Sequence, residues 1–231
     1  MVSIVKKIPL ATKIVRWITP LKDEGLMLSL NKVVGQGNDF KIDSSSVLID
    51  CIFDIEGDNN TIIIAKNAYL KLVKFYIRGN NNTVYVSDDV KFYRSGVFWL
   101  EDENCKITIG EKTTFQDVHL AATEPNSSIE IGKECMFAYD IDVRTGDSHS
   151  ILDATTKERL NYAQNISIAD NVWIAAHVSI LKGVTIAQNS VVATRSVVTK
   201  PFKDTSVLIG GVPAKVLKEN IIWDKKRIYK V

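Results

Sequence analysis

Residues 168–200 read IADNVWIAAHVSILKGVTIAQNSVVATRSVVTK, and in them Ile168, Ile174, Ile180, Ile186, Val192 and Val198 recur every six positions. Four places after each stands Val172, Val178, Val184, Ser190, Ser196 or Phe202, mostly small or β-branched. An amphipathic helix repeats its apolar residues every three or four positions, and a half-buried strand every two. A period of six is neither. It suits a chain wound as a three-sided prism with one short strand per face, so that Ile168 and Ile186, 18 positions apart, stack in successive coils. Each stacked rung removes apolar surface from water, at roughly 25 cal/mol per Å². A single coil cannot bury its own inner face, so many coils are required.

Upstream the step lengthens. Asn38, Asn60, Asn82, Asn104 and Asn126 fall 22 residues apart. Each is followed by an aliphatic and then a small or polar residue: Ile42-Asp43, Ile64-Ala65, Val86-Ser87, Ile109-Gly110 and Ile131-Gly132. A 22-residue step is an 18-residue coil with a short loop of four at one corner. Ile131 and Ile168 are 37 apart, which predicts a much longer loop extruded at about 146–165. The expected fold is all-β, a parallel β-helix of seven or eight coils from about Asn38 to Val207. The expected organisation is a helical or cap segment at 1–36, the β-helix at 37–209, and a tail at 210–231. That tail follows Gly210-Gly211 and Pro213, and the spacing of AKVLKENIIWDKKRIY (214–229) predicts a helix capping the end of the prism.

Composition narrows the function classes. The chain has 231 residues, 45% of them hydrophobic and 24% charged, with a net charge of +2. Nucleic-acid binders carry a concentrated basic footprint, so no nucleic-acid partner is expected. Cys51, Cys105 and Cys135 are far apart and form no CxxC pair, which points to reduced thiols and a cytoplasmic location. No run approaches the roughly 20 apolar residues of a membrane span. The N-terminal Ile4, Val5, Ile8, Ile14, Val15 and Ile18 form a loose helical stripe broken by Pro9 and Pro20. It reads as a cap over the core, or as a weak membrane-surface contact using Lys6, Lys7, Lys13 and Arg16.

The segment 171–200, followed by GGVPAKVLKENIIW (210–223), resembles the C-terminal half of the hexapeptide-repeat acyltransferases. RTGDSHSILD (144–153), with Arg159 and Asn161 beyond it, is similar to the sugar and capsular polysaccharide O-acetyltransferase branch. The chain departs from the family pattern at Ala175 and Ala187, where glycine is usual, and at ATRS (193–196) in place of GAGS, which introduces Arg195. The resemblance implies a left-handed β-helix, a homotrimer with active sites between subunits, acetyl-CoA as co-substrate and a carbohydrate acceptor.

Acetyl transfer to a hydroxyl needs a base, and a histidine with an unperturbed pKa of about 6.5 is largely neutral near pH 7. The resemblance assigns the base to His149, on the extruded loop. Asp147 is a candidate to orient it, and Gln116, in the preceding coil, to approach the acceptor. Arg144 could meet an acidic sugar. His119, four after Phe115, is expected as a packed core histidine, and His177 as a surface or groove-wall residue. By motif, Ala138, Ala176 and Thr194 line the path of the pantetheine arm, with Trp173 as a wall. Thr199, Lys200 and Lys215 resemble the family residues that meet the CoA nucleotide and phosphates, lysine acting as a compact charge. No metal is expected, because the three histidines, 30 and 28 residues apart, are not expected to converge on one open site. N-acetylation of an amino sugar on the same fold, and a non-catalytic scaffold, are the remaining alternatives.

Overall fold

The computed structural model describes residues 31–229. Among them no helix is present, and the chain forms a parallel β-helix as the six-residue period demands. One face is a seven-stranded parallel sheet of Asp39–Ile42, Thr61–Ile64, Thr83–Val86, Lys106–Ile109, Ser128–Ile131, Ile166–Ile168 and Thr185–Ile186. The second face carries Val47–Ile49, Tyr69–Lys71, Met136–Phe137, Trp173–Ile174, Val191–Val192 and Leu208–Gly211. The third carries Lys32–Val34, Ile52–Glu56, Val73–Arg78, Ile141–Arg144, Ser179–Ile180 and Val197–Val198. Lys91–Glu101 and Thr114–Thr123 run through both of these faces without a break.

The interior is a set of files. On the first face Ile62 pairs with Val84, Val84 with Ile107, Ile107 with Ile129, and Ile129 with Ile166, all buried. On the third face Phe53, Phe75 and Phe98 stack with ring centroids 4.8 and 4.9 Å apart. Full burial of such a side chain contributes about 1.5–3 kcal/mol. Val118, Leu120, Ile141, Val143, Val178 and Ile180 continue this face with smaller residues.

The four additional residues of the N-terminal coils are not a simple corner loop. They lengthen the third strand, which buries Val73, Phe75 and Ile77 where a later coil buries only Val178 and Ile180. They also form a wider corner, Gly79 to Asn82. Gly57 and Gly79 stand at equivalent corners with φ of 137° and 134°, and a Cβ on Gly57 would lie 1.9 Å from the Gly79 carbonyl oxygen.

The asparagines divide into two files. Asn38, Asn60 and Asn82 form an inward ladder: the Asn60 amide donates to the Gly79 carbonyl (2.9 Å), and the Asn82 backbone N–H donates to Asn60 Oδ1 (2.9 Å). In the next coil Cys105, not Asn104, takes the ladder place, its N–H donating to Asn82 Oδ1 (2.8 Å). An extra residue causes this shift. Leu70 pairs with Phe92, 22 positions on, but Val73 pairs with Gly96, 23 positions on. Asn104 and Asn126 instead occupy left-handed corners, at φ of 59° and 65°, in file with Asn59 and Asn81. Asparagine tolerates that backbone better than most side chains.

The ends differ from expectation. Lys32–Val34 is a strand paired with Ile52–Glu56, so regular structure begins before Asn38. The rest of the N-terminal segment, with its cap or membrane-surface reading, lies outside the described residues. The C-terminal helix is replaced by a strand, Ala214–Lys218, antiparallel to Leu208–Gly211, and then by an irregular tail. The last coil presents an open edge of backbone donors and acceptors, which a hairpin satisfies directly and a helix cannot.

Candidate active site

The extruded segment leaves the prism at the corner between the third and first faces, after Ile141–Arg144, and returns at Ile166–Ile168. Its departure is fixed. The buried Thr145 hydroxyl accepts from the Thr123 N–H (2.9 Å), and a Cβ on Gly146 would lie 2.7 Å from Thr123 Oγ1. The chain then turns through Ser148, at φ 63°, and the His149 N–H donates to the Asp147 carbonyl (2.8 Å). His149 is exposed.

Asn161 holds this turn from beneath, only 7% exposed. Its Nδ2 donates to Asp147 Oδ2 (2.9 Å) and to the His149 carbonyl (2.7 Å), while its Oδ1 accepts from the Ile151 N–H (2.7 Å). The Asp147 carboxylate also pairs with Lys182. Lys182 chiefly holds Asp147 below the usual carboxylate range, outweighing the opposing effect of burial, and the Asn161 amide adds to it. Asp147 thus acts on the His149 backbone through Asn161, and among the described residues its carboxylate makes no hydrogen bond to the imidazole. The returning limb is clamped by Arg159, which makes a two-pronged contact with Glu124 at 2.9 and 2.5 Å and lies over the Tyr162 ring. An antiparallel bridge, Leu152 to Arg159, closes the arm, leaving Ile151, Leu152, Leu160 and Tyr162 half or more exposed.

His119 differs from its expected place. Val118 and Leu120 point inward, so His119 points out, its side chain 34% exposed. A count of four from Phe115 fails because the ladder shifts register between Phe115 and Asp117. His119 Nδ1 lies 3.0 Å from Asp142 Oδ1, and Arg144 grips the same carboxylate at 2.6 and 2.9 Å. Burial raises the Asp142 pKa, but His119 and Arg144 outweigh it and hold the group low. Arg144 is therefore committed to Asp142. His177 sits at a left-handed corner with Nδ1 2.6 Å from Asp140 and its ring edge-on to Tyr139. Among the described residues no cluster of three or more His, Cys, Asp or Glu side chains converges.

The remaining candidates fall on different edges of the prism. Gln116, Ala138, Ala176 and Thr194 share the corner between the second and third faces. The Asp117 N–H donates to the Ala138 carbonyl (3.2 Å), and Thr194 Oγ1 donates to the Ala176 carbonyl (2.8 Å). Trp173 projects outward from the second face, between Met136 and Val191, with Trp223 against it. Thr199 and Lys200 follow the third-face strand Val197–Val198 and so lie on the His149 corner, while Lys215 is on the terminal hairpin. The structure thus groups His149, Asp147, Thr199 and Lys200 on one corner of the chain, and Gln116, Ala138, Ala176 and Thr194 on another. Sequence reasoning missed Glu124, Lys182 and Trp223 as site-supporting residues. All three act across more than 30 positions, a separation at which no spacing rule operates.

No family model matches the chain. It is 34% identical over 192 residues to a polysialic acid O-acetyltransferase of Neisseria meningitidis, spanning 83% of this chain and 88% of that protein. Two solved structures share the fold over 87% of this chain. The polysialic acid O-acetyltransferase OatWY is 32% identical with a TM-score of 0.79, matched over 94% of its chain. The polysialic-acid-specific acetyltransferase NeuO is 30% identical with a TM-score of 0.78, matched over 84%. The chain therefore belongs to the polysialic acid O-acetyltransferase family, on the capsular polysaccharide branch of the hexapeptide-repeat acyltransferases, and it is an acetyltransferase acting on sugars.

Proposed function

We propose that the protein transfers the acetyl group of acetyl-CoA to a hydroxyl of a polysaccharide, with polysialic acid as the acceptor, and with His149 as general base. The observation that carries this reading is the built turn at 146–149. A buried asparagine fixes the backbone at His149 while leaving its imidazole exposed on an arm of the prism. A base of this kind contributes about 10²–10⁴ in rate.

In the proposed step, imidazole nitrogen takes the acceptor hydroxyl proton as the oxygen attacks the thioester carbonyl carbon. The tetrahedral adduct collapses with cleavage of the C–S bond, and the CoA thiolate recovers the proton from the imidazolium. Both substrates are bound together, and no acyl-enzyme forms. The three cysteines suit this reading, because each is buried and burial raises its thiol pKa, to about 11 for Cys51 and Cys135. The same free thiols support a cytoplasmic setting.

The donor is assigned to the corner of Ala138, Ala176 and Thr194, where short side chains leave the backbone approachable, with Trp173 as its wall. Thr199, Lys200 and Lys215 take the nucleotide phosphates. The short-side-chain corner of Ala138, Ala176 and Thr194 stands apart from the corner that carries His149, Thr199 and Lys200, which favours a site completed by a second copy. A trimer also accounts for the exposed apolar arm of Ile151, Leu152, Leu160 and Tyr162.

The test is incubation with acetyl-CoA and polysialic acid. CoA release in step with an acetyl ester labile to mild alkali supports the reading. An alkali-stable product would transfer it to amine acetylation, and no CoA release over background would overturn it.

A further inference from the structure

We propose that the C-terminal tail is a strap for the donor site, with Trp223 as a positioning residue that sets the angle of Trp173; the inference rests on the reading of Trp173 as a wall of the acetyl-CoA site. Trp173 stands on a strand of two residues, Trp173–Ile174, with its indole directed away from the core. A side chain so placed has little beside it on its own element to fix its rotamer. Trp223 supplies the missing contact from 50 positions downstream, its ring centroid 6.0 Å from that of Trp173 at an interplanar angle of 43°.

The attachment point is itself fixed. Trp223 Nε1 donates to the Asn171 carbonyl (2.8 Å), and the Asn171 side chain donates to Asn189 Oδ1 in the next coil (2.9 Å). The Ile221 N–H donates to the Ser206 carbonyl (2.9 Å), so the tail is tied on both sides of residue 222. The rest of the tail is largely exposed. Ile222 is 94% exposed and Ile228 85%, whereas Trp223 is partly buried. The tail beyond the terminal hairpin therefore makes its principal aromatic contact on a residue assigned to the donor site. Its loss should weaken donor binding and leave the acceptor and the chemical step unaffected.

The experiment compares Trp223→Ala, Trp223→Phe and Trp173→Ala with the parent, using the full chain. An aromatic pair contributes about 0.5–1.5 kcal/mol beyond its burial, so Trp223→Ala should raise the KM for acetyl-CoA about 3- to 10-fold. Acceptor KM and kcat should stay within about twofold. Trp223→Phe keeps a ring but loses the Nε1–H donor and should give an intermediate KM. The coupled near-ultraviolet circular dichroism of the two indoles should disappear equally in Trp223→Ala and Trp173→Ala. Unchanged acetyl-CoA KM in Trp223→Ala, with weakened donor binding in Trp173→Ala, overturns the strap alone. Unchanged donor binding in Trp173→Ala overturns the donor-wall reading beneath it. A fall in kcat with no KM split, tracking a lowered melting temperature in both Trp223 variants, would show a merely structural contact and also overturn the proposal.

Discussion

Asn161→Ala should disable the protein without unfolding it. The Asn161 amide makes three bonds of 2.7 to 2.9 Å, to Asp147, to the His149 carbonyl and to the Ile151 N–H. A net hydrogen bond in a folded protein contributes about 1 kcal/mol, so their combined loss shifts the loop by about 3 kcal/mol, or about 100-fold in the population of the held turn. The prism does not depend on them, and the arm remains clamped by Arg159 on Glu124. The variant should keep its thermal midpoint to within a few degrees and bind acetyl-CoA like the parent, because none of the three bonds reaches a residue assigned to the donor. Its kcat, measured by CoA release with polysialic acid, should fall about 10- to 100-fold. Asn161→Asp has the same shape but replaces a donor by an acceptor facing Asp147 and the His149 carbonyl, so it should be no more active than the alanine variant. A kcat for Asn161→Ala within about threefold of the parent would refute the positioning argument.

Asn82→Ala leaves the Cys105 N–H and the Asp102 carbonyl without their buried partner and should cost about 2–4 kcal/mol in urea titration. The three cysteines, buried and with raised pKa values, should resist a thiol reagent at pH 8 and react together once the chain is unfolded. The Asp147 pKa is depressed, chiefly by Lys182, so its contribution is complete above the ordinary carboxylate value of about 3.9 and is lost only as pH falls through its lower folded value. Proteolysis of the arm, followed by mass spectrometry with an acid-tolerant protease, should be flat from pH 7 to 5 and rise only below about pH 4. In Asp147→Asn it should be raised throughout.

The period of six was readable because every coil repeats the same burial problem: Ile168, Ile174, Ile180 and Ile186 each face the axis of the prism. Features that depend on local count were not. One residue added between Phe92 and Gly96 moves Asn104 out of the ladder, and the tight corner after Phe115 turns His119 outward. Neither leaves a mark in composition or hydrophobic pattern. The tail 214–229 has apolar spacing compatible with a helix, and the open edge of Leu208–Gly211 decided it as a strand. At the candidate site, the extruded loop that carries His149 was legible from the 37-residue step. Of the residues that hold the turn, Asn161 was marked only as part of the family pattern, and Glu124 and Lys182 were not legible, since they meet their partners across 35 positions only when the loop closes.

The most direct test of the account is the rate of CoA release from acetyl-CoA with polysialic acid for His149→Ala against the parent, at equal and saturating acetyl-CoA. The rate for His149→Ala should fall at least about 100-fold with donor binding retained. Equal rates in the two proteins would contradict it and remove His149 from the mechanism.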